Sequence, residues 1–126
     1  MPKQYIYVDF DDTLCRGPFK SIIQCGEPVE GMCAKIKKVL EHGKYGIKVF
    51  SARFDSTKSK TETNMAVKVV QAWLYKQFGL QASQIQCTAN KGMDCVEIWD
   101  NRAVGVEDET GRLLNDSRVL KELGLN

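Results

Sequence analysis

The β-branched and aromatic run Tyr5-Ile6-Tyr7-Val8 passes without a break into the acidic stretch Asp9-Phe10-Asp11-Asp12-Thr13-Leu14. This junction constrains the fold more than any other part of the chain. The apolar run reads as a buried strand, whereas carboxylates are almost never fully buried unless paired. The strand must therefore sit inside a sheet with its carboxyl end at an open edge. An EF-hand loop is disfavoured, because Leu14 stands where glycine is needed and a strand precedes the acids.

Beyond the acids the chain alternates helix and strand. Met32, Cys33, Ile36, Val39 and Leu40 recur at helical spacing within Val29 to His42, and Gly43 stands where a C-terminal cap belongs. Tyr45 to Phe50 reads as a second strand. Ser59 and Glu62 have capping-box spacing, and the helix they open carries Met65, Ala66, Val69, Val70, Trp73, Leu74 and Phe78 on one broad face before Gly79. Ile85 to Thr88 and Cys95 to Trp99 read as strands, with Ala103 to Val106 extending or following the second. Asp116 to Leu123 reads as a last helix capped by Asp116 or Ser117. The order β, α, β, α, β, β, α implies an α/β layer structure with a mainly parallel sheet. One step is awkward: Thr88 and Cys95 stand too close in sequence for a helical crossover between parallel strands. Cys15 to Glu27 holds Gly17, Pro18 and Gly26 and reads as a loop or small flap.

Composition narrows the class. The 126 residues fit a single domain, 1–126, and 43% hydrophobic against 27% charged residues is a globular balance. A formal net charge of +2 gives no strong pull toward polynucleotides or anionic membranes. The five cysteines are odd in number and lack CxxC spacing, which disfavours a disulfide framework or a zinc knuckle. The single histidine, His42, falls at a helix end, where a cation suits the dipole. A strand-like run so near Met1, without a signal-peptide pattern or a spanning apolar stretch, predicts a soluble, cytoplasmic protein that does not enter a membrane.

Ligands of open α/β sheets gather at the carboxyl ends of the strands. Every candidate polar group falls at such an end: Asp9, Asp11 and Asp12; Ser51 and Arg53; Asn90 and Lys91; Asp100, Asn101 and Arg102. Close carboxylates repel and favour a divalent cation, and Mg²⁺ prefers a few carboxylates, waters and a substrate phosphate. A carboxylate can also attack phosphorus, provided that charge is neutralised and the leaving alcohol receives a proton.

With these residues in place the chain resembles the haloacid dehalogenase superfamily. Asp9-Phe10-Asp11-Asp12-Thr13-Leu14 matches that family's first motif, DxDx(T/V)(L/V). Ser51-Ala52-Arg53, Thr88-Ala89-Asn90-Lys91 and Ile98-Trp99-Asp100-Asn101-Arg102 look like its small capless members from phages and bacteria. The resemblance implies a three-layer, Rossmann-like fold, capless or with a minimal flap. It implies a Mg²⁺-dependent phosphomonoester hydrolase working through an aspartyl-phosphate. Asp9 would be nucleophile and metal ligand, and Asp11 general acid and base with its carbonyl on the metal. Ser51 and Lys91 would hold the phosphoryl group, and Asp100 would complete the metal site. Read from its own surroundings in the sequence, Arg53 either binds a substrate phosphate or pairs with Asp55 at the surface. The family's fourth motif usually ends in two acids; here the second is Asn101, so weaker Mg²⁺ binding is expected.

Two other functions fit parts of the pattern. A catalytically idle binding or regulatory module would keep the fold, and Asn101 leans that way. A phosphoacceptor receiver domain shares the size, acids and lysine, but needs its aspartate after a middle strand, where this chain has Ser51. An uncapped site admits phosphorylated small molecules, a phosphoprotein or a nucleic-acid terminus, and the oligomeric state is open.

Overall fold

The computed structural model describes residues 3–55, 59–103, 105–114 and 116–125. Its framework is a four-stranded sheet of β1 (Tyr5–Asp9), β2 (Gly46–Phe50), β3 (Ile85–Thr88) and β4 (Cys95–Trp99). All pairings are parallel, in the order β3-β2-β1-β4. Three helices accompany it: α1 (Glu30–His42), α2 (Lys60–Phe78) and α3 (Arg118–Leu123). The chain is therefore an α/β protein with a parallel sheet, as the alternating pattern implies.

Register and alternation explain how the layers meet. Ile6 lies opposite Ile47, Val8 opposite Val49, and Ile85 beside Ile47, so these side chains share one face. They form a single buried cluster with Ile36 and Val39 of α1 and Val70 and Leu74 of α2. The helix ends obey the sequence signals. Gly43 caps α1 in the left-handed region at φ 85°, and the Ser59 hydroxyl accepts from the Glu62 N–H at the start of α2. The third helix is capped by Ser117, which accepts from Leu120 N–H; Glu97 of β4 accepts from Ser117 and from the Arg118 and Val119 amides.

The opposite face departs from the expected three layers. There the six-residue connection 89–94 runs from β3 across β2 and β1 to β4, and among the described residues it contains no helix. Three interstrand steps at about 4.8 Å, plus the return down the sheet, are within reach of a nearly extended chain of this length. This resolves the awkward Thr88–Cys95 spacing. Asp94 anchors the crossing: it accepts from Tyr7 Oη and, at 2.6 Å, from Lys48 Nζ, while Tyr5 N–H donates to its carbonyl at 2.8 Å. Gly92 donates to Tyr7 Oη at 3.0 Å, and a Cβ there would lie 2.8 Å from Asp94 Oδ1, so a larger residue would push against the Asp94 carboxylate.

Two further features lie beyond the periodic signals. Gly79–Gln84 forms a 3₁₀ segment between α2 and β3. The expected strand at Ala103 to Val106 does not extend β4; β5 (Gly105–Val106) pairs antiparallel with β6 (Leu113–Leu114) as a separate hairpin, and Val104 lies outside the described residues. The cysteines are free thiols. Among the described residues, no helix is long and apolar enough to cross a membrane.

Candidate active site

The order β3-β2-β1-β4 reverses between β1 and β4, and in open parallel sheets a crevice forms at the carboxyl ends of such strands. Asp9 is the last residue of β1, Asp100 comes just after β4, and Ser51 just after β2. A cavity of about 450 Å³ at this edge is lined by Asp9, Asp11, Asp12, Ser51, Arg53, Asp100 and Asn101, among others. The topology thus brings together the acids, the serine and the arginine that the sequence singled out. Lys91 is not brought in. It sits exposed in the crossing segment and does not line the cavity.

The turn after β1 is built by its own backbone. Phe10 is fully buried, and its carbonyl accepts from the amides of Leu14 at 2.9 Å and Cys15 at 3.0 Å. Asp12 takes the left-handed conformation at φ 63°, which aspartate tolerates better than most side chains, and its N–H donates to Gly17 O at 3.1 Å. Asp12, to which the motif assigns no role, is the pivot of this turn.

Thr13 ties the two strand ends together. Its hydroxyl donates to Asp9 Oδ2 at 3.3 Å and accepts from the Asn101 backbone N–H at 3.0 Å. With its amide nitrogen turned toward the acids, the two Asn101 side-chain hydrogens are shared among Asp100 Oδ1 at 3.1 Å, Thr13 Oγ1 at 3.2 Å and Asp9 Oδ2 at 3.3 Å. An asparagine here bridges the two carboxylates that a second acid would repel. Even so, Asp9 is raised from its ordinary 3.8 to about 6, chiefly by burial and then by the charge of Asp100, with Asp11 adding less.

Arg53 departs from its expected role. It is only 3% exposed. Its Nε and Nη2 donate to the two oxygens of Asp11 at 2.9 and 2.7 Å, a bidentate pair. The remaining donors reach the carbonyls of Ser21 at 3.2 Å and Gln24 at 2.8 Å, and the Cys25 sulfur at 4.0 Å. The guanidinium lies between the rings of Phe10 and Phe19, 5.1 and 4.9 Å from their centroids. Its ion pair is with Asp11, and it pins the flap (residues 16–27) to the site. With its donors so committed, Arg53 is not available as the expected phosphate ligand. Ser51 is buried, and its Oγ accepts from Arg53 N–H at 3.1 Å, which leaves the hydroxyl proton to donate.

Among the described residues, no three His, Cys, Asp or Glu side chains form a ready-made metal cluster. The donor set nevertheless fits a hard cation. It is all oxygen, and the unfavourable ionisation of Asp9 beside Asp100 is the charge excess that a cation relieves. Both carboxylate oxygens of Asp11 already accept from Arg53, and Cys15 Sγ lies 4.0 Å from Oδ1, so its backbone carbonyl is the less encumbered oxygen for a cation. A Mg²⁺ ion held at this edge would gain a charged ligand in Asn101→Asp, and the concentration that half-saturates it should fall by about tenfold. The substitution should also lower the melting temperature in EDTA, because an amide bridge becomes a third like charge. An unchanged half-saturation when melting temperature is titrated with Mg²⁺ would count against a cation at this edge.

Thr13 and Arg53 are the residues whose contribution the sequence did not reveal. Thr13 stood inside the acidic motif without a role, and the partners of Arg53 lie up to 42 positions away. No family model, curated protein or solved structure matches this chain.

Proposed function

We propose that the chain is a Mg²⁺-dependent phosphomonoester hydrolase of the haloacid dehalogenase type, with a Rossmann-like sheet whose third layer is reduced to the 89–94 crossing. The observation that supports this best is the meeting of Asp9, Asp11, Ser51 and Asp100 in one cavity where the strand order reverses.

In this reading an oxygen of Asp9 attacks the phosphorus of a monoester, and the bond to the leaving alkoxide breaks. Asp11 gives that alkoxide its proton. Water then attacks the phosphorus of the aspartyl-phosphate, Asp11 takes a proton from it, and inorganic phosphate leaves Asp9 as a carboxylate. Both Asp11 oxygens accept from Arg53, so that pair must loosen and Asp11 must take up a proton from solvent before the first step; the proton it later takes from water restores that state. The Ser51 hydroxyl donates to a phosphoryl oxygen, and Thr13 and Asn101 fix the attacking carboxylate. Mg²⁺, held by Asp9, Asp100 and the Asp11 carbonyl, would offset the negative charge between nucleophile and phosphate. Lys91 has no role in these steps in its present position.

The full engagement of Asp11 by Arg53 also favours a second reading, an idle module that keeps the fold. A phosphate-release screen with Mg²⁺ separates the two. Phosphorylated metabolites, nucleotides and 3′- or 5′-phosphorylated oligonucleotides would be compared in wild type and Asp9→Asn. Release in wild type that is lost in Asp9→Asn is the expected result. Release that survives the substitution sinks the mechanism, and no release from any compound favours the idle module.

A further inference from the structure

The flap separates two cavities of opposite character. On one side is the acid-rich cavity at the strand ends. On the other, sharing Pro18 and Arg53 with it, is a cleft of about 380 Å³ lined by Arg16, Lys20 and Gln24, with no carboxylate in its lining. Arg53 is neutralised there by Asp11. Arg16 and Lys20 are not: among the described residues, neither side chain takes part in an ion pair or hydrogen bond. The cleft thus carries two uncompensated positive charges.

The backbone beneath them is braced. Arg16 N–H donates to Glu27 O at 2.7 Å, and a Cβ on Gly26 would lie 1.8 Å from Arg16 O, so the two flap segments touch at a point where only glycine fits. Arg53 holds the far limb through the Ser21 and Gln24 carbonyls. The cations therefore sit on an anchored loop and not on a loose tail, which reduces the ordering cost of binding.

We propose that the Arg16/Lys20 cleft is a second phosphate subsite, so that preferred substrates carry a further phosphate, monoester or diester, beyond the one cleaved. The assignment rests on the phosphatase reading for the first phosphate. Arg102 borders the acidic cavity, but the carboxylates of that lining outnumber it, so its mouth repels a second phosphate. Across the Pro18 wall the lining is cationic with no acid to oppose it. The second phosphate belongs either to a small bisphosphate or to the backbone of an oligonucleotide.

The test measures binding in Mg²⁺ with probes that cannot be cleaved. A 3′-fluorescein-labelled hexathymidylate carrying a 5′-methylenephosphonate is followed by anisotropy, with the bis(methylenephosphonate) analogue of fructose 1,6-bisphosphate as competitor. Arg16→Gln/Lys20→Gln is compared with Lys35→Gln/Lys38→Gln, which removes the same charge from exposed positions of α1. Melting curves confirm that both variants fold. The first variant should weaken binding about tenfold, and for the oligonucleotide the slope of log affinity against log salt should fall by about 1.4. The second should stay within about twofold of wild type, the residual being long-range screening. Loss confined to the oligonucleotide identifies the diester source, and loss confined to the sugar identifies the bisphosphate; either supports the subsite. Equal loss in both variants, or no binding of either probe to wild type, overturns it. Failure of wild type to release phosphate from any substrate with Mg²⁺ is read in a separate assay and tells against the Asp9 chemistry alone.

Discussion

Asp9→Asn should abolish phosphate release and at the same time stabilise the metal-free fold at neutral pH. The sign comes from linkage. Asp9 is an acid whose folded-state value is raised, from 3.8 to about 6, so the folded protein holds its proton more tightly than the unfolded chain. Ionised Asp9 is therefore a cost. The cost is fully present above pH 6, shrinks as the pH falls through that value, and is gone below about pH 4, where both states are protonated. A shift of this size corresponds to at most about 3 kcal/mol. Solvent reaches part of the carboxyl and screens its neighbours, so about 1–2 kcal/mol is the expected gain for asparagine at pH 7.5, or roughly 5 °C in melting temperature. Melting curves in EDTA from pH 4 to 8 measure it, and the gain should disappear at the acid end. Mg²⁺ should raise the melting temperature of wild type by mass action on the folded state, and do so much less for Asp9→Asn. A variant that lost activity merely by unfolding would show the reverse.

The second large effect is expected at Arg53. Arg53→Met leaves Asp11 without its partner in a side chain that is only 18% exposed, and strips donors from the Ser21 and Gln24 carbonyls. Breaking a buried pair from one side costs about 3–5 kcal/mol. Urea denaturation should show that loss, and the flap at residues 16–27 should become the first site of limited proteolysis. Removing both partners, as Arg53→Met/Asp11→Leu, should recover part of the stability, because the orphaned charge is gone. Arg53 acts through Asp11 and the flap, so Arg53→Lys, which retains the charge but not the fork, should lower kcat more than it raises KM. A stability change within about 0.5 kcal/mol would remove Arg53 from its place as the post of the site.

Much of the fold was legible because burial writes periodicity into sequence. The strands at Tyr5–Asp9 and Gly46–Phe50 and the two long helices arise from apolar spacing, and Gly43 and Ser59 stand at the caps of those helices, with Ser117 at the cap of the short α3. The placement of Asp9, Ser51 and Asp100 at one edge came from a single rule about strand ends. What was not legible depends on contacts between distant segments. The crossing at 89–94 relies on Asp94 meeting Tyr7 and Lys48, 87 and 46 positions away, and nothing local announces it. That crossing also leaves Lys91 exposed, while a match of short motifs placed it on the phosphate. Arg53 read either as a phosphate ligand or as a local partner of Asp55; the structure pairs it with Asp11 through a fork that only the tertiary fold assembles. Asn101 read as a missing charge, and in place it is a donor between two acids.

Everything proposed for the site depends on Asp9 becoming phosphorylated. The chain would be mixed with Mg²⁺ and p-nitrophenyl phosphate, quenched in acid within the first turnover, digested, and mapped by mass spectrometry. Acyl phosphates survive acid long enough for the modified peptide to be found. The predicted result is a phosphoryl group on Asp9, absent from Asp9→Asn. Sustained release of p-nitrophenol with no phosphoryl group on Asp9 would contradict it.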